Sequence, residues 1–253
     1  MAASKNDNWD PEKRVFRLNK AATPEGFEIP NPLYIFGYAS LVWKPDAGWE
    51  NFEARMSTAQ GWTRRFAQLS TDHRGTPESP GLVCTMLPTQ AVKALGYEPD
   101  MYTRGKAYRI PDDCVENVLE ALDFREKGGY TRDLATIKFD DDGSEQKALI
   151  YSATIDNPNF VPELASHTSS ALEKAATLIA HSHGPSGPNR EYLLKLADVL
   201  PEDPYLAALA HRVRSILDPL SGDYSPASIT ADLLGGDSTS IIPGVGLSTS
   251  PSR

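Results

Sequence analysis

The sequence predicts an α+β fold, in which strands come first, one helix interrupts them and further helices close the domain. Two observations support this prediction. Short apolar or alternating segments bounded by glycine or Asp-Gly pairs, typical of strands, recur between residues 33 and 155. Segments with apolar residues at positions i, i+3, i+4 and i+7, which indicate amphipathic helices, occur at 115–122 and again after residue 166.

The predicted strands begin at residue 33. Leu33-Tyr34-Ile35-Phe36 is an apolar, aromatic run that ends at Gly37, as expected of a buried strand. Residues 51–70 alternate loosely, and Gly61 marks a bend or bulge within them. Further strands are predicted at 81–87, 105–110, 134–139 and 148–155, the last two being separated by an Asp-Asp-Gly turn.

Four helices are predicted. The first has a capping-box-like start at Asp113 and Glu116, and the second runs from 166 to 180 and stops before Gly184. The apolar faces of the first, third and fourth helices are, in that order, Val115, Val118, Leu119 and Leu122; Leu193, Leu196, Ala197 and Leu200; and Leu206, Leu209, Ala210 and Val213.

The domain is predicted to span residues 30–220. Residues 1–29 are polar without a clear period and are interpreted as a mobile N-terminal arm. Residues 221–253 are rich in Ser, Gly, Thr and Pro. Such a segment cannot bury enough apolar surface to offset the entropy lost on ordering, so it is predicted to be a disordered low-complexity tail.

Composition excludes several classes of protein. A net charge of −9 argues against a nucleic-acid partner. No apolar run is long enough to span a membrane, and the first residues lack the apolar core of a secretory signal. Two cysteines are too few for a disulfide framework. We therefore expect a cytoplasmic protein, with the nucleus as an alternative, and the oligomeric state stays open with a monomer as the simplest expectation.

Known cofactor and metal signatures do not occur in the sequence. There is no P-loop, no dinucleotide-binding fingerprint and no Gly-x-Ser-x-Gly elbow. His181 and His183 form an isolated His-x-His pair without further ligands at metal-binding spacing. The sequence therefore predicts neither a metal nor a cofactor.

Four segments are candidates for chemistry. Residues 37–43 follow a strand and could present backbone N–H groups to an anion, although an ordinary turn is the simpler interpretation. Glu126 lies between two cations and before a double glycine. It is either part of a solvated ion-pair cluster or, if it is buried in a pocket, a base with a raised pKa. Residues 70–75 are either a polar loop beside a site or simply a surface turn. Residues 184–192 are interpreted as a linker in which Asn189 caps the next helix.

Together these segments resemble the ChaC family of glutathione-specific γ-glutamylcyclotransferases, over about Leu33 to Leu217. The resemblance rests on the order of six blocks: FGYASLVWKP, RRFAQLSTDHRGTPESPG, RGKAYRI, ALDFREKGGYTR, DNPNF and GPSGPNREYLLKLA. It implies a small mixed β-barrel flanked by helices and the cleavage of glutathione to 5-oxoproline and cysteinylglycine, with no nucleic acid, membrane or cofactor involved.

The resemblance also assigns site residues. Glu126 aligns with the family's catalytic glutamate, which serves as general base. The family's γ-glutamyl-binding loop aligns with Gly37, Tyr38, Ala39, Ser40, Leu41 and Val42. Within the matching blocks, Tyr130 and Tyr192 are candidate pocket walls or donors, and Arg74 is a candidate partner for a substrate carboxylate because its guanidinium matches that group.

Two departures from the family pattern leave alternatives open. The family usually has glycine where this chain has Ala39, and a left-handed backbone there would cost alanine about 1–2 kcal/mol. Residues 88–103 are longer than the usual connection and could form a passive loop or a lid. The alternatives are a cyclotransferase for other γ-glutamyl peptides or amines, and a non-catalytic γ-glutamyl-binding module.

Overall fold

The computed structural model describes residues 9–10, 15–16, 20–126 and 128–218. Its strands are β1 (Trp9–Asp10), β2 (Val15–Phe16), β3 (Tyr34–Gly37), β4 (Ala54–Gln60), β5 (Trp62–Ser70), β6 (Gly81–Pro88), β7 (Tyr102–Arg109), β8 (Tyr130–Phe139), β9 (Glu145–Ala153), β10 (His183–Gly184) and β11 (Gly187–Pro188). Its α-helices are α1 (Thr89–Ala94), α2 (Val115–Arg125), α3 (Ser169–His181), α4 (Asn189–Val199) and α5 (Pro204–Leu217).

Five strands close into a barrel in the order β3-β7-β4-β8-β9. The β3–β9 pair is parallel and the other pairs are antiparallel. The remaining long strands, β5 and β6, form a separate antiparallel pair, against which α3 and α4 pack, and both of these helices contact α5. The predicted α+β fold, with a mixed barrel flanked by helices, is confirmed.

Strand β3 explains why residues 33–36 are apolar without interruption. Tyr34 and Phe36 belong to the main hydrophobic core, together with side chains of α3, α4 and α5. Leu33 and Ile35 point the other way, into a second core that includes Leu122 of α2. Successive side chains of a strand face opposite sides, so a strand covered on both sides needs apolar residues at every position.

The predicted turns are found, but the start of α2 differs from expectation. Gly61 (φ +74°) connects β4 to β5, and Gly143 (φ +72°) turns β8 into β9. The first predicted cap is wrong, because neither Asp113 nor any neighbour caps α2 with its side chain. Residues Asp112–Cys114 instead form a 3₁₀ turn that leads directly into the helix.

The N-terminal segment contacts the domain at Ala21 and Ala22. Ala21 is buried in the second core, and its N–H donates to Asp123 O at 2.8 Å. The N–H of Ala22 donates to Tyr130 O at 2.8 Å, beside the start of β8. The tail predicted at 221–253, and the arm residues 1–8, 11–14 and 17–19, lie outside the described residues.

Candidate active site

A cavity of about 820 Å³ lies where β3, β5 and α2 end and where β8 and α4 begin. That volume falls in the range of about 300–1,000 Å³ common for small-molecule sites. All of the candidate residues except Val42 line it: Gly37, Tyr38, Ala39, Ser40, Leu41, Arg74, Glu126, Tyr130 and Tyr192. Val42 is instead buried in the main core.

The loop after β3 folds back tightly on the strand end. A Cβ on Gly37 would lie 2.6 Å from Leu41 Cβ, so only glycine allows this approach. Ser40–Val42 form one 3₁₀ turn, whose own hydrogen bonds begin with Val42 N–H donating to Ala39 O at 3.0 Å. The first N–H groups of such a turn have no partner within it and are available to an anionic group of a ligand.

Ala39 does not have the left-handed backbone conformation that would require glycine. Its φ is −126°, far from the left-handed region that favours glycine. The strain considered for alanine at this position is therefore absent, and the departure from the family's usual glycine leaves the turn intact.

Glu126 follows the last residue of α2 and faces the cavity. Its N–H donates to Leu122 O at 2.8 Å, which extends the helical hydrogen-bonding by one residue. Its side chain keeps only 24% of its surface exposed. Burial raises the pKa of Glu126 above the usual 4.5; Arg125 opposes this rise, and the nearby charges of Asp46 and Asp72 add to it. A carboxylate with a raised pKa at a cavity wall is suited to exchange protons with a ligand.

Arg125 joins Glu126 to the loop after β3, a role that the sequence analysis did not assign. Its Nε lies 3.3 Å from Glu126 Oε1, and its Nη2 donates to Ser40 Oγ at 2.5 Å. Nη1 pairs with Asp46. The sequence signal was the cation next to Glu126, which is equally common in solvated ion pairs and therefore did not identify this contact.

Asn157 supports the backbone that follows Glu126 and was also missed. Its Nδ2 donates to both Gly128 O and Gly129 O at 3.0 Å, and it is 3% exposed. Its sequence block, DNPNF, contributed to the resemblance, but a single asparagine in a loop carries no sign of a partner 28 residues earlier.

Three tyrosines form the buried wall of the cavity. Tyr38 Oη donates to Tyr151 O at 2.7 Å, and Tyr192 Oη lies 3.2 Å from Cys84 Sγ. Burial raises the pKa of Tyr38, Tyr130 and Tyr192 well above 10, so all three stay neutral. Burial also raises the pKa of Cys84 to about 11, so this thiol stays protonated rather than acting as a nucleophile.

Arg74 lies at the cavity wall beside β11 and the start of α4. Its Nη1 donates to Pro188 O at 3.2 Å, and its guanidinium lies 5.6 Å from the Tyr192 ring centroid. The neighbouring Arg64 and Arg65 do not line the cavity. They pair with Asp203 and Asp100, and so fasten β5 to α5 and to the segment before β7.

Two expectations about neighbouring segments are corrected. Asn189 does not cap α4, because its amide pairs with β6: Oδ1 accepts from Leu82 N–H at 2.6 Å and Nδ2 donates to Leu82 O at 2.8 Å. None of residues 88–103 lines the cavity. That segment forms α1 and the approach to β7, so it is not a lid in this structure.

Within the described ranges, no group of three or more His, Cys, Asp or Glu residues is arranged to hold a metal ion. No helix in the same part of the chain is long and apolar enough to cross a membrane.

Comparison with known proteins identifies relatives over most of the chain. Residues 33–217 match the family model described as ChaC-like protein. The human glutathione-specific γ-glutamylcyclotransferase 1 is 36% identical over 209 residues, covering 78% of this chain and 85% of the relative. The glutathione-specific γ-glutamylcyclotransferase of Escherichia coli is 34% identical over 194 residues, covering 76% and 74%.

A solved structure shows the same fold. The crystal structure of a γ-glutamylcyclotransferase specific to glutathione from yeast superimposes with a TM-score of 0.63 at 31% sequence identity. The match covers 72% of this chain and 96% of the yeast chain. With its barrel, its cavity and these relatives, the chain belongs to the ChaC-like protein family.

Proposed function

We propose that this protein is a glutathione-specific γ-glutamylcyclotransferase, which converts glutathione to 5-oxoproline and cysteinylglycine. The relatives from human and Escherichia coli are named for this activity. The observation that carries the proposal is Glu126, a largely buried carboxylate with a raised pKa, in a cavity that also contains the loop at 37–41.

Glu126 acts as the general base and then as the general acid. The α-ammonium of the γ-glutamyl unit has no lone pair, so Glu126 first removes a proton from it. The amine nitrogen then attacks the γ-carbonyl carbon, forming the bond that closes a five-membered lactam. The attacking nitrogen gives up a second proton as the lactam N–H forms, and the bond from that carbon to the cysteinyl nitrogen breaks. Glu126 passes both protons, one after the other, to the cysteinyl nitrogen, which departs as the ammonium of cysteinylglycine. No water, metal or cofactor enters this balance.

Positioning supplies much of the rate in this scheme. Attack within one molecule gains up to about 7–11 kcal/mol when the reacting groups are held together, as a folded γ-glutamyl chain would be. The N–H groups of Ala39 to Leu41 bind the γ-glutamyl unit and the oxyanion that develops on its carbonyl. Tyr38, Tyr130 and Tyr192 shape the wall, and Arg74 binds a substrate carboxylate.

The two alternatives, a cyclotransferase for other γ-glutamyl compounds and a non-catalytic binding module, have no structural observation in their favour. They rested on strain at Ala39 and on a lid at 88–103, whereas Ala39 has a φ of −126° and 88–103 lie away from the cavity. We also propose a cytoplasmic location, which agrees with two free cysteines, Cys84 and Cys114.

A product assay tests the proposal. Purified protein is incubated with reduced glutathione, and 5-oxoproline and cysteinylglycine are quantified, with γ-glutamyl dipeptides as competing substrates. We expect equal amounts of both products from glutathione and little from the dipeptides. E126Q should lose about 10²–10⁴-fold in kcat, whereas E120Q, an exposed glutamate of α2, should keep full activity. Folded wild-type protein without product would refute the function, and an active E126Q would refute the role of Glu126.

A further inference from the structure

Gln68 lies near the end of β5, where its side chain is buried against the cavity. It is 2% exposed and lines the cavity wall. The pairing of β5 with β6 shifts between Phe66 and Gln68, as at a β-bulge. Bulges often redirect a side chain towards a functional site. Gln68 has no role in the mechanism proposed above.

The hydrogen bonds around Asn157 fix the orientation of the Gln68 amide. Both donors of Asn157 Nδ2 are directed to Gly128 O and Gly129 O, so Oδ1 is the acceptor end of that side chain. Asn159 N–H also donates to Oδ1, at 2.9 Å. Gln68 must therefore present its Nε2 to Asn157 Oδ1, at 3.1 Å.

This arrangement leaves Gln68 Oε1 as a buried acceptor without a donor. No hydrogen-bond partner reaches it from the part of the chain that the structure describes. Buried polar atoms are almost always paired, so an unpaired acceptor on a residue that lines a cavity is a candidate partner for a ligand donor. Asn157 connects Gln68 to the backbone carbonyls of Gly128 and Gly129, which follow Glu126 in the chain, and both Gln68 and Glu126 line the cavity.

We infer that Gln68 Oε1 accepts a hydrogen bond from the α-amino group of the γ-glutamyl unit, and so selects and orients the attacking amine. The inference rests on the proposed function. The α-amino group is the donor that must approach Glu126, and an amide oxygen can hold it in either protonation state without competing for the proton. Gln68 is thus a positioning residue, and the ligand class it recognises is a γ-linked acyl group with a free primary amine.

The test measures the coupling between this oxygen and the ligand amine. Equilibrium dissociation constants are determined by calorimetry for glutathione and for glutaryl-cysteinylglycine, which lacks the α-amine, using E126Q protein to prevent turnover. The same pair is measured with E126Q/Q68L and E126Q/Q68E. We expect E126Q to prefer glutathione about tenfold or more and Q68L to abolish that preference. Q68E keeps an acceptor for the amine but loses the donor to Asn157 Oδ1, so it should restore the preference only in part.

A matched control separates this effect from general damage. Ser57 Oγ is also buried and unpartnered within the described residues, but Ser57 does not line the cavity. S57A should leave the preference unchanged. If Q68L weakens both ligands equally, Gln68 is only structural and the inference is overturned. Equal binding of the two ligands to E126Q overturns it without any Gln68 variant. The product assay on wild-type protein, performed separately, shows whether the proposed function itself fails.

Discussion

Nε of Arg125 lies 3.3 Å from Oε1 of Glu126, while the same guanidinium donates to Ser40 Oγ. One side chain therefore connects the proposed base to the loop proposed to bind the γ-glutamyl unit. Its charge opposes the rise that burial imposes on the pKa of Glu126, and Asp46 acts in the opposite direction. The pKa of the base is thus set by burial and by the charges of Arg125, Asp46 and Asp72, of which the first two also pair with each other.

The first prediction concerns the pH dependence of catalysis. A general base works when it is deprotonated, so kcat/KM should fall as the pH drops through the pKa of Glu126, above pH 4.5. R125Q should move this acid limb to higher pH, because it removes the charge that lowers the pKa. D46N should move it to lower pH. Profiles of kcat/KM against pH for the three proteins provide the measurement.

The surface pair between Arg109 and Glu53, at 3.8 Å, offers the control for these shifts. E53Q changes the net charge by the same amount as D46N but should leave the acid limb in place. Movement of the limb in the same direction in R125Q and D46N would contradict the electrostatic explanation.

The second prediction concerns stability. Burial raises the pKa of Glu126 in the folded chain above its value in the unfolded chain, so stability falls as the pH rises from about 4.5 through the folded-state pKa. E126Q removes the buried charge and should have a higher Tm than wild type at pH 8. The difference should vanish at a pH below both pKa values.

Thermal unfolding at several pH values measures this effect, on a scale of about 2–4 °C for each kcal/mol. E120Q alters an exposed carboxylate of the same helix and should show no such pH-dependent gain. A Tm of E126Q that equals the wild-type Tm at every pH would argue against burial as the cause of the raised pKa.

The third prediction separates two positions of the loop after β3. A39G should change kcat/KM by less than about twofold, because Ala39 has a φ that any residue adopts. G37A should reduce kcat/KM by at least about tenfold, because its Cβ would collide with Leu41 at 2.6 Å and displace the turn. Steady-state kinetics with glutathione measure kcat/KM for both variants. A large gain of kcat/KM in A39G would indicate that alanine strains the backbone at this position.

The fourth prediction concerns Asn189. N189A removes both hydrogen bonds to Leu82 and leaves a buried N–H and C=O of β6 unpaired, so the free energy of unfolding should fall by about 2–4 kcal/mol. Denaturant unfolding measures the loss. Q146A removes an amide from an exposed position of β9 and should cost less than about 0.5 kcal/mol. A small loss of unfolding free energy in N189A would indicate that the Asn189–Leu82 hydrogen bonds do not stabilise the fold and that Asn189 is an ordinary linker residue.

Local patterns predicted the secondary structure where one interaction dominates. The helical period at Val115, Val118, Leu119 and Leu122 predicted α2, and the Asp-Asp-Gly turn placed the β8–β9 hairpin, because periodicity and turn chemistry depend on near neighbours. The two cap predictions failed for a different reason. A polar residue before a helix has other partners available, and Asn189 finds them on β6 rather than on its own helix.

The sequence by itself determined the α+β class, the helices α2 to α5 but not α1 and, through the ordered blocks, the family and Glu126 as the residue to examine. Which strands close the barrel, and how Glu126 meets its surroundings, depended on tertiary structure. The contacts of Arg125 with Ser40 and of Gln68 with Asn157 join residues 85 and 89 positions apart. Burial, the direction of a pKa shift and an unpaired oxygen are properties of such distant contacts, so only the folded chain reveals them.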